Sequence, residues 1–180
     1  MKTIQLTPSC KDYLWGGEKL RTEYGIQSEL HPLSEAWMLS CHPDGPSYLP
    51  DGSTFQQYIN THPGCLGTHC EKFSEFPVLA KLIDAKKDLS IQVHPSNEYA
   101  LEHEHQYGKT EMWYVLDCEP GAFLYYGFDH EISREELEER IRNNTLTEVL
   151  NAVPVKKGDC FFIPSGTLHA ICKGVVVVEV

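Results

Sequence analysis

No apolar run in this chain is long enough to cross a bilayer. The first ten residues, Met1 to Cys10, lack the apolar core that a secretory signal needs. Cations are in short supply: 15 Lys and Arg stand against 26 Asp and Glu, a net charge of −11. That balance argues against nucleic acid and against anionic membranes as partners. It leaves room for a small anion in a locally basic pocket. There is no C-x-x-C pair among Cys10, Cys41, Cys65, Cys70, Cys118, Cys160 and Cys172, and their number is odd. Neither a disulfide framework nor a thiolate zinc knuckle is therefore expected, and free thiols in a reducing cytoplasm are. A disordered composition is also missing. With 41% hydrophobic and 23% charged residues over 180 positions, the chain suits one globular domain with a substantial core.

What is present is mostly strand and turn grammar. Residues 1–50 are rich in turn formers, with short strands expected at Ile4–Leu6 and Glu35–Ser40. Trp15 and Trp37 read as core or rim aromatics. Residues 53–60 read as a short helix capped by Ser53 with Gln56 three residues on. Phe76–Asp84 reads as a buried strand. Lys81 falls inside it, where an ammonium is costly unless it meets an anion or reaches an edge. A short helix follows Ser96 or Asn97, and His103 and His105 on it read as solvated surface. Strands are expected at 108–116 and 122–127. Ser133 to Val149 is the helical region, with Ser133 and Glu136 as a capping box and Leu137 and Ile141 on the apolar stripe. Residues 155–159 read as a strand ending in a turn. Residues 161–170 read as strand, tight turn, strand. Val175–Val180 reads as an apolar strand whose exposure would be an association hazard.

The stretch around which these elements are organised is Ser90-Ile91-Gln92-Val93-His94. Alternation reads as a strand with Ser90, Gln92 and His94 on one face and Ile91 and Val93 on the other. A face made of a hydroxyl, an amide and an imidazole is expected to wall a polar pocket rather than a core. Many short strands with turns argue for a mainly β fold, an antiparallel barrel or jelly roll. Within it Gln92, His94, Glu111 and His169 all come from strand-like segments. Two imidazoles and a carboxylate suit zinc or another divalent metal, with the Gln92 amide oxygen as an uncommon fourth ligand. Lys109 shares a strand face with Glu111 by parity.

The run Gly158-Asp159-x-x-x-x-Pro164-x-Gly166-x-x-His169 resembles the second cupin motif. The first motif departs from the ordinary cupin form, since Gln92-x-His94 replaces H-x-H and Glu111 lies well downstream. Taken with Tyr13-Leu14-Trp15-Gly16-Gly17, Ser34-Glu35-Ala36-Trp37, Leu89 to Pro95, Gly108 to Tyr114 and Ile163 to Ala170, that combination resembles the type I mannose-6-phosphate isomerases, particularly the short bacterial form. The resemblance covers essentially the whole chain. It implies a cupin-type antiparallel β-barrel or jelly roll over 1–180, a single metal-binding domain with a helical segment at about 133–150. It implies one zinc per chain held by Gln92, His94, Glu111 and His169, a phosphate-contacting pair in Lys81 and Ser90, and an active-site lysine in Lys109. The implied activity interconverts mannose 6-phosphate and fructose 6-phosphate, with a small sugar phosphate as the partner. Family members continue past Glu179 into a second cupin-like portion, which carries an arginine assigned to catalysis; this sequence has no counterpart to either. The alternative is therefore a metal-binding cupin fragment that binds sugar phosphate or regulates without isomerising.

Overall fold

The computed structural model describes residues 3–73 and 75–180. The chain forms two compact units, residues 1–84 with 177–180, and residues 85–176. No helix among the described residues is long and apolar enough to cross a membrane.

The first unit is built on an antiparallel set. β1 (Ser9–Lys11) pairs with β2 (Glu35–Leu39), and β2 pairs with β3 (Ala80–Ala85). Leu20, on the short helix α1 (Lys19–Thr22), is fully buried, as are Leu33, Ala36 and Ile83. The expected strand at Ile4–Leu6 does not form. Thr7 and Tyr48 make an isolated bridge instead, and the strand begins at Ser9 where β2 supplies a partner. Tertiary pairing here overrides local β preference. Helix α2 (Phe55–Thr61) starts one residue later than expected. Thr54 and Gln57 make the capping box, because Ser53 is already held by Asp51, which accepts from both its N–H and its hydroxyl. The third strand starts at Ala80 rather than Phe76, where pairing with β2 begins.

The second unit contains two antiparallel groups. β4 (Glu111–Cys118) pairs with β7 (Cys160–Ile163). β5 (Phe123–Phe128) lies between β6 (Leu150–Pro154) and β8 (His169–Ile171). Helix α3 (Asn97–His103) is capped by Ser96, and α4 (Arg134–Arg142) by Ser133. Both hydroxyls accept an N–H of the first turn. α4 carries Glu135 and Glu136 in its first turn and Arg140 and Arg142 in its last, which complements its dipole. Ile141 lies exposed at 57%, so the apolar stripe of α4 is narrower than its sequence implies. Residues 155–159 form a turn, not a strand. The Asp159 carboxylate accepts from Lys156 N–H and closes it, and the strand lies just before, at β6. β9 (Val175–Glu179) is a strand as expected, but Val175, Val176 and Val177 are buried, so the exposed part of the apolar run is confined to its end, at Val180.

The mainly β, antiparallel architecture expected from the short alternating segments is the architecture observed. The organising stretch is a correction in detail. Residues 90–94 are extended but form no continuous ladder; only Gln92 makes a bridge, to His169. The partner strand β8 is three residues long and is preceded by the Pro164–Thr167 turn, so pairing is confined to a few bonds. Those bonds run Leu89 N–H to Ile171 O, Gln92 N–H to His169 O, His169 N–H to Gln92 O and Gly166 N–H to His94 O.

Candidate metal centre

Three of the four expected ligands meet inside the second unit. One ligand atom each of His94, Glu111 and His169 lies within 4.8 Å of the other two. His169 Nε2 is 3.1 Å from Glu111 Oε1, and His94 Nε2 is 3.8 Å from Glu111 Oε2. Glu111 and His169 are each 1% exposed. An ionised carboxylate at that depth needs compensation in positive charge or metal.

Local geometry delivers each side chain. The Pro164–Ser165–Gly166–Thr167 turn is closed by Thr167 N–H donating to Pro164 O at 3.1 Å, with Gly166 at φ +84°. Positive φ at the third position of a turn selects glycine. The turn hands the chain to β8, whose first residue is His169. There Nδ1 donates to the Thr167 carbonyl at 2.7 Å. A carbonyl only accepts, so Nδ1 carries the proton and Nε2 faces Glu111. On the other side Gly108 is pressed against the Pro95–Asn97 backbone; a Cβ there would lie 2.3 Å from Pro95 O. Lys109 N–H donates to Pro95 O at 3.2 Å, which ties the start of β4 to the residue after His94. Glu111, Trp113 and Val115 then alternate into the interior, all buried.

Gln92 stands directly opposite His169 in an antiparallel bridge, with bonds of 3.0 and 2.9 Å in the two directions. Directly opposed residues project to the same face, so its side chain starts on the His169 side. The strand expected over 108–116 begins only at Glu111, so Lys109 lies just before β4, yet its Nζ is 2.5 Å from Glu111 Oε2. Burial pushes the Glu111 carboxyl up, but His169 and Lys109 beside it more than offset that and hold it down at about 2.

The donor set fits a divalent cation. Glu111 Oε1 and Oε2 and His169 Nε2 are buried, with charged neighbours at contact distance but no well-formed hydrogen bond among the described residues. Buried polar atoms that converge without bonding one another are what a shared cation would satisfy. Two imidazoles and a carboxylate are the ligand types of zinc sites.

The remaining expected residues lie elsewhere. Ser90 is exposed. Lys81 belongs to the first unit, on β3 opposite Trp37 of β2. Its Nζ lies 3.3 Å from Glu179 Oε1, 3.9 Å from Glu35 Oε2 and 4.6 Å from the centre of the Trp37 ring. The anions that it meets are thus two carboxylates. His103 and His105 are exposed, as expected of surface histidines. Sequence reasoning missed the Thr167 carbonyl, which no side-chain pattern encodes. It also missed Trp113, although its spacing of two from Glu111 on an alternating strand was legible. A surface cavity of about 550 Å³, lined by Arg21, Gln27, Ser28, Glu29 and His31, contains none of these residues.

Residues 3–121 match the catalytic domain of type I phosphomannose isomerase. The chain belongs to the type I phosphomannose isomerase family. It is 42% identical over 180 residues to the Bacillus subtilis protein named "Probable mannose-6-phosphate isomerase GmuF", covering 97% of this chain and 56% of that protein. It is 42% identical over 170 residues to the mannose-6-phosphate isomerase of Streptococcus mutans, covering 92% of this chain and 53% of that one. The crystal structure of mannose 6-phosphate isomerase from Bacillus subtilis superposes with a TM-score of 0.92 at 38% identity, over 99% of this chain and 58% of that one. The chain therefore spans a little over half the length of these relatives, and it has their cupin fold.

Proposed function

We propose that this chain holds one zinc ion through Gln92, His94, Glu111 and His169, and that it serves the interconversion of mannose 6-phosphate and fructose 6-phosphate. The observation that carries the reading is the buried convergence of His94, Glu111 and His169 with Lys109 against Glu111, in a chain of this family. Gln92 is the proposed fourth ligand because its bridge to His169 starts its side chain on the same face. Cytoplasmic residence accords with seven free cysteines.

An aldose–ketose exchange moves a proton between C1 and C2 through an enediol, and negative charge builds on oxygen. Zinc, when bound, supplies electrostatic stabilisation of that charge. The work of the chain's own residues is to hold and shield. Glu111 and His169 lie beyond the reach of bulk water. The Thr167 carbonyl fixes the His169 tautomer so that Nε2, not Nδ1, is presented. Lys109 puts an ammonium beside the carboxylate, where it can stabilise a developing oxyanion. As a ligand, Glu111 is a poor choice for the base that takes the C2 proton. Lys81 and Ser90 are each proposed to contact the phosphate; for Lys81 this means exchanging carboxylate partners for phosphoryl oxygens.

A coupled assay for fructose 6-phosphate formation tests the proposal, run on this chain and on a version extended with the remaining part of the Bacillus subtilis relative. Turnover of mannose 6-phosphate by the extended protein, lost when zinc is removed and restored when it is returned, is expected. An extended protein that binds zinc but never turns over mannose 6-phosphate would refute isomerisation and leave a metal-binding module for sugar phosphates.

A further inference from the structure

Trp113 is fully buried on β4, two residues beyond Glu111 and on the same face. Its ring meets the imidazole of His169 at 5.3 Å between centroids and 73° between planes, an edge-to-face contact. The indole N–H is buried and has no hydrogen-bond acceptor among the described residues. What Trp113 offers His169 is therefore the shape and edge of its ring, not a polar bond. His169 needs such support. Its Nδ1–H donates to Thr167 O, a bond to a turn carbonyl that restrains the ring along one edge only. The His94 ring approaches at 5.0 Å and 45°, so a swung imidazole would lose its aim at Glu111 and crowd a neighbouring ligand.

We propose that Trp113 is a positioning residue that holds the plane of His169 so that Nε2 faces Glu111 and the metal. The inference rests on the metal reading above and assigns Trp113 no contact with substrate. Supporting partners of this kind set metal affinity through ligand orientation, which is a different role from filling a core.

The test uses the whole 180-residue chain. Zinc Kd is measured by competition with a chromophoric chelator for the wild type, Trp113→Phe and Trp113→Leu. Nuclear Overhauser contacts between the His169 and His94 ring protons read the placement of the His169 ring in the metal-free proteins. Trp113→Phe keeps an aromatic edge and gives up only an N–H that has no acceptor, so it stays close to the wild type in both readouts. Trp113→Leu weakens zinc about 10–100-fold and alters the contacts of the His169 ring with the His94 ring. Where Trp113→Leu does not fold, Trp113→Met, whose flexible chain refills more of the space, carries the same expectation. Wild-type affinity and wild-type ring contacts of His169 in Trp113→Leu, whatever its thermal stability, would overturn the proposal and make Trp113 a packing residue. So would Phe and Leu variants that weaken equally. A wild type that binds no zinc sinks the metal reading instead, and the His169 ring contacts in Trp113→Leu still decide on Trp113.

Discussion

Each unit buries a cluster of charge, and the two clusters are resolved differently. In the first unit one ammonium faces two carboxylates: Lys81 lies 3.3 Å from Glu179 and 3.9 Å from Glu35. Trp37 completes that cluster, donating its Nε1–H to Glu35 at 2.6 Å and offering its ring to Lys81. In the second unit one carboxylate stands among two imidazoles and an ammonium, and both its buried oxygens lack a well-formed hydrogen bond among the described residues. The first cluster is held by its own partners, as a structural ion network is. The second is arranged around a point rather than around a bond. Depth alone does not mark a functional site; convergence that leaves buried atoms unbonded does.

The sharpest way to break this contrast is to remove one ligand. His94→Ala should take zinc content from one per chain to almost none, read by elemental analysis of the purified protein. Unchanged stoichiometry would put the metal elsewhere. Lys81→Ala should do the converse. It removes the ammonium that lies 3.3 Å from Glu179 and 3.9 Å from Glu35 and should cost about 3–5 kcal/mol in urea unfolding, with zinc stoichiometry intact and binding of a phosphate ester weakened. An undiminished stability would mean that the first cluster is not the closed network described.

A pH titration of the metal-free protein sharpens the comparison further. The Glu111 carboxyl is held below its ordinary value of 4.5, at about 2, so its contribution to stability is fully present above 4.5 and drains away as pH falls toward 2. Asp84 works in the opposite sense, since burial raises its carboxyl despite the N–H of Lys19. The difference between wild type and Glu111→Gln isolates the first effect: the acid loss should flatten in the variant, and identical slopes would contradict the electrostatics given for Glu111. The smallest effect belongs to Trp37→Phe. It removes one buried donor to Glu35 and should cost about 1–3 kcal/mol with no change in zinc binding.

Much of this was legible in the sequence because period-2 alternation and turn chemistry are local. The Ser133 and Ser96 caps, the turn at Gly166 and the closeness of Lys109 to Glu111 all followed from neighbours along the chain. The errors share a cause, which is competition that only tertiary partners decide. Ser53 could not cap its helix because Asp51 had already engaged it. Residues 90–94 could not become a full strand opposite a three-residue β8. The partners of Lys81 were hidden for the same reason: Glu35 and Glu179 lie far from it in sequence and reach it through the pairing of strands.

Anomalous diffraction at the zinc edge, from crystals of this chain grown with zinc, tests the central claim most directly. One principal peak should lie about 2.0–2.2 Å from Nε2 of His94, Nε2 of His169 and a carboxylate oxygen of Glu111. A principal peak at any other place, or these three side chains turned away from one another, would contradict it.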